Sequence, residues 1–231
     1  DMHTPGHKPP RFDYAVRVEG PILESVCDQA EQLWSLTAWA NLRQEWALGP
    51  APSPRRGWAT QGFQRAAFLT RDNFRRRSDI EDAYLEAIAA AEEEIVIASA
   101  YFFPGRRFRR ALTQAAARGV RVVLLLQGRV EYVLLHYASR ALYGALLDAG
   151  VEIHEYTRSF LHAKVAVIDG QWATVGSSNI DPFSLLLGRE ANIVADDRRF
   201  AQELRESLLA AMTVGAEPVV RQEWRRQPFL R

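Results

Sequence analysis

The chain has 231 residues, 48% of them hydrophobic and 25% charged, with one cysteine and a formal net charge of +1. It therefore reads as globular, one large α/β domain or a domain plus an appendage, and Cys27 alone excludes an intramolecular disulfide framework. No apolar run approaches the roughly eighteen residues that cross a bilayer, and residues 1 to 15 lack the charged-then-apolar pattern of a signal peptide.

In chain order, residues 13 to 34, DYAVRVEGPILESVCDQAEQLW, lay out a carboxylate, a short strand, a turn and a helix. Residues 37 to 63 show no sustained periodicity, and LGPAPSPRRGWATQG predicts a linker or surface loop. Trp39, Trp46 and Trp58 around it either seat on lipid headgroups beside arginines or close over a core. From residue 64, apolar runs of strand length alternate with amphipathic runs of helix length. AAFLT is a strand, and Ser78 with Glu81 three places on makes a capping-box pattern for a helix over Asp79 to Glu93. EIVIASAYFF is a buried strand, Arg107 to Arg118 a helix stopped by Gly119, and VRVVLLLQG the next strand. A helix over Glu131 to Ala149 stops at Gly150 and feeds the strand VEIHEY, with His136 and Arg140 marking its wetter side. This rhythm predicts an α/β fold, a mostly parallel or mixed sheet flanked by helices on both faces.

Residues 190 to 211, EANIVADDRRFAQELRESLLAA, repeat the layout of residues 13 to 34. The second copy follows directly on LHAKVAVIDGQWATVGSSNID, Leu161 to Asp181. A matching stretch ahead of the first copy would end near residue 2, and the adjacent His7 and Lys8 do not supply it. The expectation is that residue 1 follows a first such stretch in a longer protein. Residues 1–36 are then the tail of a first repeat, 37–63 a linker, 64–214 a second domain and 215–231 a basic, aromatic tail. The closing WRRQPFLR dips into a membrane surface or frays.

Leu161 to Asp181 concentrates the chemistry. VAVI marks a buried strand, so His162 and Lys164 point to one side and Ala163, Val165 and Val167 to the other. Asp169 and Gly170 make a tight turn, WATV returns as a second strand, and Gly176-Ser177-Ser178-Asn179 lets backbone approach a bound group. Of 29 basic residues only Lys8 and Lys164 are lysines, so a compact ammonium stands where guanidinium is the rule elsewhere. Imidazole attacks phosphorus or protonates a leaving alkoxide without a metal. Lys164, Asn179, Ser177 and Ser178 neutralise or hydrogen-bond the equatorial oxygens as charge builds. Glu190, heading an apolar strand, is placed to accept the second ring N–H and fix the tautomer. Arg106 and Arg107, in a cluster with Arg109 and Arg110 after a strand's C-terminal end, are either headgroup contacts or a solvated face.

The spacing H-x-K-x4-D-x6-G-S-x-N, carried by His162, Lys164, Asp169, Gly176, Ser177 and Asn179, resembles the HKD signature of the phospholipase D superfamily. AYFFPGRRFRRAL, ARGVRVVLLLQG, LHAKVAVIDGQWATVGSSNIDPFSL, REANIV and DYAVRVEGPI resemble the bacterial cardiolipin synthases, the B type above all, from Asp13 to about Met212. The resemblance implies a pseudo-twofold α/β fold with two HKD motifs per active site, this chain supplying the second, and no cofactor or metal. One histidine forms a phosphohistidine while the other serves as acid and then base. His162 takes the second role unless the roles are swapped. Lys164, Ser177 and Asn179 carry over as phosphate ligands, Glu190 as the imidazole partner, and Asp169 as a motif residue that orders the turn rather than touching substrate. The implied substrate is phosphatidylglycerol, met at the cytoplasmic side of a bacterial inner membrane by peripheral contact. The implied partner is an N-terminal half with the first motif, or a second chain.

Two other functions compete. A single-motif nuclease of the same superfamily would act as a homodimer, against which stand the repeated unit and the near-neutral charge; no nucleic acid is expected. A catalytically silent lipid-binding module is disfavoured because every chemical position of the motif is intact.

Overall fold

The computed structural model describes residues 10–40, 64–71, 78–182 and 188–224. The linker reading over 41–63 with Trp46 and Trp58, the arginines Arg75 to Arg77, and the chain end with Arg225 and Arg226 lie outside the described residues. Among the described residues eight strands form one sheet: β1 (Arg65–Arg71), β2 (Glu94–Ser99), β3 (Arg121–Gln127), β4 (Glu152–Tyr156), β5 (Lys164–Ile168), β6 (Trp172–Gly176), β7 (Glu190–Asp196) and β8 (Ala216–Pro218). Their spatial order is β1-β7-β6-β5-β2-β3-β4-β8. The pairs β2–β3 and β3–β4 are parallel and the other neighbours antiparallel, so the sheet is mixed. Parallel pairing needs a crossover, which the helices after β2 and β3 provide. Past β4 the sheet neighbours are antiparallel, and the turn at Asp169 and Gly170 returns β5 directly into β6.

The helices are α1 (Ile22–Ala40), α2 (Asp79–Ala90), α3 (Arg106–Ala117), α4 (Val133–Arg140), α5 (Tyr143–Asp148), α6 (Arg198–Gly215) and α7 (Arg221–Trp224). On one face Ile95, Ile97, Leu124 and Ala166 meet α2, α3 and α5 through Ile88, Leu112 and Leu146. On the other, Val96, Leu125, Val165 and Val167 meet α6 through Ala201, Leu204 and Leu208. Alternation along β2, β3 and β5 thus serves two apolar layers, each fully buried aliphatic side chain contributing about 1.5–3 kcal/mol. Asp197 caps α6, its Oδ1 accepting from Phe200 N at 2.8 Å. Ser78 does start α2, but its side chain makes no capping hydrogen bond.

Three boundaries differ from the sequence reading. The helix expected over Glu131 to Ala149 is two helices, α4 and α5, with Ala141 and Leu142 between them. The segment read as linker from residue 37 begins inside α1, which runs to Ala40. The tail read from residue 215 belongs to the domain as far as Trp224: β8 pairs with β4, and the buried Trp224 ring lies 5.0 Å from Tyr143 and 4.8 Å from the Arg140 guanidinium. An indole gains more from burial than a frayed end could return, so the chain folds back.

Residues 10–19 enter no ladder. Phe12 makes an isolated parallel bridge to Leu161, and Phe12, Tyr14 and Val16 pack against the α6-side layer. Gly20, at φ 89°, then turns the chain into α1, which meets β1. The short strand expected after Asp13 is therefore not formed, whereas its counterpart β7 is; a helix follows in both copies, α1 and α6.

Candidate active site

The carboxyl ends of β2 and β3 and the amino end of β5 lie at one edge of the sheet, since Ser99 pairs with Lys164 across antiparallel strands and with Leu126 across parallel ones. The same edge receives Gly176 at the end of β6 and Glu190 at the start of β7, cross-strand from Arg71. The sheet's strand directions alone therefore gather residues that are distant in sequence.

His162 sits just ahead of β5, held by its backbone N–H, which donates to Phe12 O at 2.8 Å. Its side chain is 37% exposed, so the ring is neither sealed in hydrocarbon nor afloat. Nδ1 lies 2.7 Å from Asp13 Oδ2. Burial pushes the Asp13 carboxyl upward, but the hydrogen bonds from His162 and from Tyr14 N, with the charges of His162 and Lys164, outweigh it and hold the group below its ordinary value. An ionised Asp13 holds a proton on Nδ1 and leaves Nε2 as the ring nitrogen for chemistry.

The carboxylate on this imidazole is thus Asp13, where the sequence reading set Glu190. Glu190 instead accepts from Ser177 Oγ, which in turn accepts from Ala191 N at 3.0 Å. A signal for Asp13 was present: in the repeat it occupies the position that Glu190 occupies in the second copy.

Lys164 is 6% exposed, and its Nζ donates to His162 O. Burial pulls its pKa down from the usual lysine value; Asp13, Glu190 and Glu131 counter this and Arg11 adds to it. Asn179, also buried, accepts from Tyr101 N at 3.3 Å through Oδ1, which leaves its Nδ2 hydrogens for a ligand. Lys164, Ser177 and Asn179 thus border the same edge as His162. Asp169 does not. It lies at the far end of β5 with φ 51°, followed by Gly170 at φ 57°, and its carboxylate accepts from the N–H groups of Glu92, Glu93 and Glu94, each at 2.9 Å. It fastens the β5–β6 turn to the start of β2. Arg106 and Arg107 are exposed on the first turn of α3, with Arg107 Nη2 3.2 Å from Asp82 of α2.

Several supports escaped the sequence reading. Tyr101 OH donates to Glu131 Oε2 at 2.6 Å, and the other oxygen of Glu131 accepts from Arg11. That ion pair ties the segment bearing Asp13 to the loop after β3. Burial, with Glu131 alongside, pushes the Tyr101 phenol upward, so it stays a donor. Asn192, 1% exposed, donates to Thr174 Oγ1 at 3.1 Å and accepts from Ser178 N at 3.4 Å, bracing the Gly-Ser-Ser-Asn turn from beneath. Gly176 makes room for it: a Cβ there would stand 2.1 Å from Asn192 Oδ1 and 2.5 Å from Ala191 O. Gly176→Ala is therefore expected to lower stability by about 1–3 kcal/mol, read as a fall in the thermal unfolding midpoint, with the loss of activity exceeding the loss of folded protein.

The fold is the phospholipase D type. A phospholipase D family member, Nuc, from Salmonella typhimurium superimposes with a TM-score of 0.56 at 19% identity, over 68% of this chain and 98% of that one. Phosphatidylserine synthase from Haemophilus influenzae gives the same TM-score at 10% identity, over 67% of this chain and 39% of that one. The family model described as cardiolipin synthase, PLD-like domain, matches residues 84–212. The chain belongs to that family. It is 42% identical over 207 residues to cardiolipin synthase B of Escherichia coli K12, an alignment that takes in 90% of this chain and 49% of that protein. The chain thus spans about half the length of that relative.

Proposed function

We propose that the intact protein is a phosphatidyltransferase that makes cardiolipin from phosphatidylglycerol, with this chain supplying the second HKD motif. Residues 1–36 are the tail of the first repeat and 64–224 the second domain. The carrying observation is the Asp13–His162 pair: a carboxylate from the tail of one repeat fixes the tautomer of the imidazole in the other. By the same symmetry Glu190, heading the equivalent unit, serves the histidine of the first motif, carried by an N-terminal half or by a second chain.

In the first step that histidine attacks the phosphorus of one phosphatidylglycerol. The bond from phosphorus to the glycerol headgroup oxygen breaks, and His162, entering the step as the imidazolium with Asp13 on its Nδ1–H, gives its Nε2 proton to the leaving alkoxide and becomes the neutral Nδ1–H tautomer. Lys164 and Asn179 stabilise the equatorial oxygens, and Ser177, held by Glu190, supports them. In the second step a headgroup hydroxyl of another phosphatidylglycerol gives its proton to Nε2 of His162 and attacks phosphorus, the phosphorus–nitrogen bond breaks and frees the first-motif histidine, and two substrate molecules have yielded cardiolipin and glycerol. Among the described residues no helix is long and apolar enough to cross a membrane. In this reading the lipid is met by peripheral contact on the cytoplasmic side of the inner membrane.

The test is incubation of the intact protein with phosphatidylglycerol vesicles and, separately, with duplex DNA. Cardiolipin and glycerol in equal amounts, with the DNA uncut, are expected. DNA cleavage without lipid turnover overturns the reading in favour of a nuclease.

A further inference from the structure

The helix α4 is inside out. Its arginine, Arg140, turns inward to Glu155, at 2.6 Å, and to the Trp224 ring, while Val133, Leu134 and Tyr137 stand 61%, 82% and 62% exposed. Val130 and Tyr132, just ahead of it, are exposed too. Among the described residues, five of the nine exposed large hydrophobic side chains thus fall between positions 130 and 137, too dense a cluster to be the scattered exposure normal for a surface.

This cluster follows β3 directly, at the sheet edge that carries His162 and Lys164. Glu131, in its midst, holds Tyr101 and Arg11, so the patch is anchored to the site by a hydrogen bond and an ion pair. Its rim is cationic. The Arg129 guanidinium donates to the carbonyls of Thr157 and Arg158, at 2.7 and 2.9 Å, and lies 5.7 Å from the Phe160 ring centre, neutral partners that leave its charge uncancelled. Arg158 is exposed, and neither arginine meets a carboxylate among the described residues. The carboxylates nearby, Glu131 and Glu155, are both taken by arginines.

We propose that residues 130–137, with Arg129 and Arg158, form a docking surface for an anionic lipid bilayer. Aliphatic side chains and tyrosines that enter the headgroup boundary beside unneutralised arginines are what such an interface binds. Docked this way, the sheet edge faces the headgroups and a phospholipid reaches His162 with its acyl chains still in the membrane. The proposal rests on the reading of the substrate as a phospholipid, and its test separates the two.

The intact protein and its Val133→Ser/Leu134→Ser/Tyr137→Ser variant are sedimented with vesicles of phosphatidylglycerol or of phosphatidylcholine alone, and both are assayed on vesicles and on short-chain phosphatidylglycerol below its micellar concentration. The triple variant is expected to bind phosphatidylglycerol vesicles at least 10-fold more weakly and to lose turnover on them in proportion, while turnover of the dissolved lipid stays within 2-fold. Arg158→Gln is expected to weaken binding to phosphatidylglycerol vesicles alone. A tryptophan introduced as Leu134→Trp is expected to be quenched by brominated acyl chains. Unchanged vesicle binding by the triple variant, or an unquenched tryptophan, overturns the docking surface. So does a shift in oligomeric state with membrane affinity intact, which would make the patch a contact between protein copies. Wild-type binding without lipid turnover overturns the substrate reading and leaves the docking surface standing.

Discussion

His162→Ala is expected to reduce cardiolipin formation by the intact protein below detection, with the thermal midpoint within a degree or two of wild type. The ring is 37% exposed, and its backbone anchor, the bond to Phe12 O, survives the substitution. The chemistry does not survive. Without an acid at Nε2 the headgroup leaves as a bare alkoxide, and general acid–base catalysis alone contributes about 10²–10⁴-fold. Asp13→Asn tests the same arrangement one atom further out. An asparagine keeps the shape but presents an amide where an anion met Nδ1–H, so turnover is expected to fall about 10²–10⁴-fold with KM little changed. The Asp13 carboxyl is held below its ordinary value, so its stabilising contribution is complete above 3.8 and is lost only as pH falls through the lowered value in the folded protein. The pair is therefore intact at neutral pH, and a deficit of Asp13→Asn there reports the missing charge. Full activity of His162→Ala would remove the imidazole from the mechanism; full activity of Asp13→Asn would reduce the pair to a structural contact.

Local pattern made much of this legible. The alternation HAKVAVI gives the two faces of β5, confirmed by Ala163, Val165 and Val167 in one apolar layer and Ala166 and Ile168 in the other. The Asp-Gly pair gives the turn, and the glycine before Ser177 gives the close approach. What was not legible depends on pairing across distance. The imidazole partner lies 149 positions away, and only the resemblance between residues 13–34 and 190–211 hinted that Asp13 and Glu190 share a role. Alternation cannot say which carboxylate reaches which ring, because that depends on how an extended segment crosses the sheet edge. The same limit applies to Glu131, which gave no sign in sequence of bonding both Tyr101 and Arg11.

The helix α4 shows the opposite failure. His136 and Arg140 at a four-residue interval mark a wet face by the ordinary rule, yet Arg140 faces inward. The rule assumes that charge seeks water. Here Glu155 and the Trp224 ring, both from elsewhere in the chain, offer the guanidinium a better site and expose the aliphatic side chains instead. Trp224 explains two departures at once, since the indole that draws Arg140 inward also draws the segment after residue 215 back onto the domain.

Lys164→Met is expected to cut turnover about 10²–10³-fold, the usual cost of removing one donor from a developing oxyanion, and yet to leave the protein as stable as wild type at neutral pH or more so. Lys164 as a residue is 6% exposed, and burial is the largest influence on its ammonium, lowering its pKa. A buried cation replaced by an apolar chain of similar length relieves that desolvation and loses one hydrogen bond to His162 O, worth about 0.5–1.5 kcal/mol net. The sign can be followed with pH. Below the lowered pKa, folded and unfolded chains both hold the proton, and wild type carries the whole cost of burying it. Between that value and 10.5 the unfolded chain binds more protons than the folded one, so wild-type stability gains on the variant as pH rises. The midpoint of Lys164→Met minus that of wild type is thus expected to be largest near neutrality and to shrink toward pH 10. A variant that unfolds well below wild type at pH 7 would make this lysine a strut of the fold. One that retains turnover would show that phosphate is gripped elsewhere. A stable, inactive variant with the stated pH trend is what a phosphate-binding ammonium, held against its own solvation, requires.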